Sequence, residues 1–116
     1  MKTANNLKGI IMSKPKIANR NASDYTSAKR EFKANNIFAE WTPDNTRYIV
    51  YSYGPHWPLY IYDSITDQWY ANFSRFGVTT SKHFTQSRPG VSMEDMIPLH
   101  VDDMIKVAAG GITEII

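Results

Sequence analysis

The sequence predicts one α+β domain, a small three- to four-stranded antiparallel sheet with two to three helices packed on it. Three observations predict it. The chain has 116 residues, the size of a single domain. Twelve of its 15 aromatic residues fall between Ile37 and Phe76, among β-branched residues and short turn signals, as the strands of a meander require. Val101, Met104, Ile105, Ala108 and Ile112 recur at three- and four-residue spacings, the period of a helix with one apolar face.

Residues 1–22 are rich in Asn, Lys and Ala. They read as a basic, mobile N-terminal arm in which 7–12 docks as a short strand; residues 23–116 form the compact domain. Ser23 is placed to cap a helix over 24–34, its hydroxyl taking a free amide of the first turn. Tyr25, Ala28 and Phe32 would then share one face, with Lys29, Arg30 and Lys33 on or beside the opposite one. Asn35-Asn36 would end it, because Asn tolerates the left-handed conformation.

From Ile37 the pattern changes to strands. Residues 37–41 predict a short strand closed by Thr42-Pro43-Asp44-Asn45. Residues 47–53 are dense in β-branched and aromatic side chains, Gly54-Pro55-His56 breaks them, and 57–62 resume. A turn over 63–67 leads to a strand over 68–73. Connections this short imply an antiparallel meander. Both faces of 47–53 carry apolar bulk, so a helix covers one side of the sheet, and the other is free to present Tyr and Trp to solvent or to a partner.

Thr79-Thr80-Ser81 offers three N-cap residues in a row, predicting a helix from about 81 to 87 that stops before Arg88-Pro89. Ser92-Met93-Glu94-Asp95 predicts one further turn, halted at Pro98. The last helix, 101–109, carries Asp102 and Asp103 in its first turn and Lys106 near its end, matching the helix dipole, with Gly110-Gly111 as its stop.

Composition excludes several functions. The chain has no cysteine, hence no disulfide scaffold, zinc ribbon or thiol nucleophile. A net charge of +2 excludes both a nucleic-acid mimic and a histone-like polycation. No apolar run approaches the length of a membrane span. The apolar stretch at 9–12 is too short for a secretory signal, so the simplest setting is cytoplasmic. No dinucleotide, phosphate-loop or nucleophile-elbow motif is present, and His56, His83 and His100 lie too far apart in sequence for a metal pair. No cofactor and no metal is expected. Charge is polarised along the chain, with +6 over residues 1–33 and −4 over 94–116.

Two segments carry candidate chemistry. In Tyr51–Pro58, Gly54 and two prolines confine the backbone, so that Tyr53, His56 and Trp57 stand at a rigid corner with Trp57 as an anchor. The plain alternative is a structured turn with Trp57 in the core. In Thr79–Arg88, a helix start with Lys82, His83 and Arg88 nearby forms a candidate anion pocket. Its alternative is a capped helix with solvated charges. His83 as a general acid–base lacks a carboxylate partner nearby in sequence.

Glu40-Trp41, Arg47–Gly54, His56-Trp57-Pro58-Leu59, Tyr62-Asp63, Gln68-Trp69-Tyr70, Thr79–His83, Gln86 and Arg88-Pro89 follow one another in order. This pattern resembles a small domain of unknown function found in phage-encoded and some prokaryotic proteins. The resemblance implies one α+β domain closing with a short helix, and a viral protein working in the host cytoplasm; it implies no reaction. The expected function is therefore a non-enzymatic phage accessory protein binding a host or viral macromolecule, most simply a protein; countering a host defence system is one natural role. A nucleic-acid-binding module using the basic arm with Lys82 and Arg88 is the first alternative. A small enzyme acting on a phosphate-bearing substrate through His83 is the second. Oligomeric state is left open.

Overall fold

A computed structural model describes residues 14–74 and 77–110. The aromatic and β-branched stretch folds as expected into a meander: β2 (Ile37–Trp41), β3 (Arg47–Ser52), β4 (Pro58–Asp63) and β5 (Gln68–Asn72). Each pairs antiparallel with the next. Two further strands extend it, β1 (Phe32–Lys33) beside β2 and β6 (Met96–Leu99) beside β5, in the order β1-β2-β3-β4-β5-β6. The sheet is therefore six-stranded and mixed, not three- to four-stranded and antiparallel, because β6 runs parallel to β5.

The first added strand comes from the segment predicted as a helix over 24–34. The helix α1 is only Ala22–Ser27. Its N-cap is Asn21, with no side-chain cap, while the Ser23 hydroxyl donates to the Arg88 carbonyl. Lys29 turns out of the helix at φ 56°, and its carbonyl accepts the Trp41 indole N–H at 2.9 Å. The Glu31 carboxylate accepts the Trp41 amide at 2.8 Å. These long-range partners outweigh a weak helical segment of Ser, Thr and Asp, residues that compete with helix by local bonding. Tyr25 and Phe32 still meet, edge to face at 5.9 Å, through a different backbone path. Asn36 is left-handed at φ 63°, but in the β1–β2 turn and not at a helix end.

The second added strand contains Pro98, read as a stop. An edge strand tolerates proline because one side of it needs no ladder donors. A parallel neighbour requires a crossover, and the segment from β5 through α2 (Val78–Gln86) and the single turn Met93–Asp95 supplies it. Ser92 caps that turn, accepting from the Glu94 amide.

The pleat divides the apolar residues between two faces. Phe32, Ile37, Ala39, Tyr48, Val50, Tyr60, Trp69 and Ala71 pack on one, with Ala22 of α1 above them and Phe84 of α2 against them. Ile49, Tyr51, Ile61, Tyr70 and Leu99 pack on the other beneath α3 (Val101–Ala108). The first face is covered by α1 and α2; on the second, α3 lies over β4 and β5, while towards β1 and β2 Phe38 and Glu40 are only half-buried and Lys33 is exposed. α3 contributes Val101, Met104 and Val107 to the interior, whereas Ile105, placed in the predicted stripe, is 40% exposed. An eight-residue helix meets the sheet along a narrow i, i+3, i+6 line, which leaves Ile105 outside. Gly110 follows at φ 83°, a conformation only glycine adopts freely.

In the segment assigned to an arm, residues 15–17 run alongside β1, and 19–21 form a 3-10 turn leading into α1. Lys16 bridges Lys33, the Ile17 amide donates to the Lys33 carbonyl at 2.9 Å, and Ala22 is fully buried. The strand expected at 7–12 and Ile112 lie outside the described residues.

Candidate binding surface at the β3–β4 corner

β3 ends one residue earlier than its composition suggests, because Tyr53 leaves extended backbone for the left-handed region at φ 68°. Left-handed Asn or Asp is ordinary, whereas a bulky aromatic there is an outlier. Surrounding bonds hold it. The Tyr53 amide donates to the Asn36 carbonyl at 2.8 Å, the Gly54 amide to Ser52 at 2.8 Å and the Trp57 amide to Gly54 at 3.1 Å. Gly54 is buried, and a Cβ there would stand 3.1 Å from the His56 ring. The absence of a side chain at Gly54 thus lets the imidazole lie against the corner.

The start of α2 faces this corner. Ser52, Tyr53, His56 and Trp57 with Gly77 and Thr80 line a cleft of about 290 Å³. The helix begins at Val78 with Gly77 as its N-cap and no side-chain cap. Thr79, Thr80 and Ser81 therefore stand inside the first turn and not at the cap, and the helix is longer than the predicted 81–87 at its front. Beneath the cleft, His83 is only 4% exposed. Its Nδ1 and the Ser52 Oγ are 2.8 Å apart, and its ring lies 5.3 Å from that of Tyr53. Burial, and secondarily the Lys82 ammonium, hold His83 below its ordinary value of 6.5, so it is neutral at pH 7.

The six predicted surface residues separate into groups. Tyr53, His56 and Trp57 stand together, with Tyr53 and His56 exposed and Trp57 half-buried against the first core. His83 lies below them as part of the interior. Lys82 is exposed on α2, and Arg88 is exposed beyond the helix's far end, where its carbonyl takes the Ser23 hydroxyl. Val78–Gln86 is nine residues, a rise of roughly 14 Å, so the helix start and Arg88 do not share a pocket. A serine hydroxyl against a neutral imidazole is the first contact of a nucleophile–base pair. Ser52 is fully buried, however, and the bond here joins α2 to β3.

Sequence reasoning did not single out two exposed apolar residues at this end of the sheet. Phe73 and Val78, 54% and 88% exposed, stand at the same end of the sheet, just after β5 and at the start of α2. Each reads as core by composition; their position beside strand and helix ends was the available signal. A second cleft was also missed. Tyr53, with Lys14, Lys33, Asn36 and Phe38 among its other lining residues, walls a cleft of about 350 Å³ on its other side. Among the described residues no group of His, Asp or Glu could hold a metal ion, and no described helix is long and apolar enough to cross a membrane.

The buried imidazole makes stability pH-dependent. As pH falls, the unfolded chain protonates at its ordinary value before the folded state does, so protons favour unfolding. His83 thus contributes stability that is complete above about pH 6.5 and is lost progressively below it. The thermal midpoint is expected to fall from pH 7 to pH 5, and His83→Gln to flatten that slope. A slope unchanged by the substitution would show that His83 does not drive it.

In comparisons with protein-family models, curated proteins and solved structures, none matches this chain.

Proposed function

We propose that this chain is a non-enzymatic binding module that takes a protein partner on the corner surface built by Tyr53, His56 and Trp57. One observation carries the reading. Tyr53 is an aromatic residue in left-handed backbone, 55% exposed, forming the wall of two clefts. Strained backbone persists where surrounding structure over-determines it, and such positions cluster at binding and catalytic sites. Rigid aromatics beside a cleft are what interface hot spots use. Phe73 and Val78 are also exposed at this end of the sheet, Phe73 in a separate cleft with Phe84 and Met93. The setting we infer, a phage accessory protein in a host cell, rests on the resemblance of residues 40–90 alone.

The test is capture from bacterial lysate on the immobilised chain, with and without nuclease, beside Tyr53→Ala. We expect a protein that survives nuclease and is lost with Tyr53→Ala. Capture equal in both proteins would remove the corner as the site, and partners lost with nuclease would turn the reading to nucleic acid.

A further inference from the structure

We infer that the partner segment is an extended peptide presenting an acidic and a large apolar side chain to the two clefts on either side of Tyr53. This deepens the binding reading above and rests on it. The two clefts differ in chemistry. One is walled by Tyr53, His56 and Trp57 with Thr80 at its rim, an aromatic slot that suits an apolar side chain. The other contains two lysines. Lys14 is already engaged, 2.8 Å from the Glu40 carboxylate and 5.2 Å from the centre of the Phe38 ring. Lys33 is exposed and makes no ion pair among the described residues, so its ammonium is free to receive a carboxylate.

The surroundings favour an acidic ligand. Residues 45–62 and 68–93, which supply the corner, β5 and α2, contain no Asp or Glu, while Lys82 stands exposed on α2. The lysine cleft is lined mainly from outside those segments, by Lys14, Lys33, Asn36 and Phe38; its neighbouring carboxylate, Glu40, is taken up by Lys14, so the charge left facing an arriving carboxylate is that of Lys33. An extended chain suits two clefts separated by one ridge, because its residues i and i+2 point the same way.

Other occupants fit less well. A nucleic-acid strand needs a row of phosphate contacts, and one of the two lysines is already neutralised by Glu40. A second copy of this chain could offer Ile65, 73% exposed and close to Asp67. That segment is a tight turn, with the Ile65 and Thr66 amides both on the Asp63 carboxylate, and cannot lay alternate side chains into two clefts.

The experiment is selection of a displayed library of random dodecapeptides on the full chain, followed by titration of synthetic winners against wild type, Lys33→Glu and Tyr53→Ala. The expected winners carry Asp or Glu two positions from a large apolar residue, bind Lys33→Glu roughly ten-fold more weakly, and lose binding to Tyr53→Ala. Winners without acidic preference that still need Tyr53 would overturn this inference and leave the binding reading standing. The absence of any Tyr53-dependent winner would overturn both. Displacement of the winners by oligo(dT), with binding that collapses in salt, would assign the clefts to nucleic acid instead. Self-association abolished equally by Ile65→Asp and Tyr53→Ala would assign them to a second copy.

Discussion

Met104→Ala is expected to lower unfolding free energy by about 2–5 kcal/mol, the cost of a large buried side chain replaced by a methyl group. Met104 is fully buried between α3 and the sheet, touching the cluster of Ile49, Tyr51, Ile61 and Tyr70. Among the described residues, α3 is the one helix on that face, and eight residues are too few to be helical without packing. Loss of its central contact therefore weakens the helix and its docking together. Denaturant unfolding followed by circular dichroism measures the change. Met104→Leu, which conserves volume, should cost under about 1.5 kcal/mol. A Met104→Ala loss below about 1 kcal/mol would mean that α3 contributes little to this face.

At Tyr53, stability and binding are expected to separate. A left-handed L-residue costs about 1–2 kcal/mol, and Tyr53 is more than half exposed, so its ring returns only part of that through contact with His83. Asn tolerates the same backbone better. Tyr53→Asn should therefore leave stability unchanged or raise it by up to about 1 kcal/mol, while partner capture falls by the 2 kcal/mol or more typical of a hot-spot aromatic, about thirty-fold. Gain in stability with loss of binding is the signature of a residue retained for function. A stability loss of about 2 kcal/mol with capture intact would make Tyr53 a structural residue of the corner.

The corner that carries the candidate surface is legible in the sequence. Gly54-Pro55 between two aromatic strands marked the corner, and Tyr53, His56 and Trp57 were identified from it. The conformation of Tyr53 was not legible, since it depends on the Asn36 carbonyl, seventeen residues earlier in the chain. His83 read as a surface group because it follows Lys82 in a polar stretch. Its place in the interior is decided by Ser52, thirty-one residues away. Lys33 read as a helix flank and became a cleft wall once its segment was drawn into the sheet.

By itself the sequence determined the four strands of the meander and the closing helix. Their signals are local: aromatic and β-branched density, turn residues between strands, and an apolar period with matching end charges. Only the tertiary structure decided the two outer strands. Residues 28–33 hold weak preferences of their own, and the backbone there follows Trp41, whose indole and amide bond Lys29 and Glu31. Met96–Leu99 is a short run containing a proline and becomes a strand because α2 carries the chain back beside β5. Where local free energy is small, contacts distant in sequence choose the conformation.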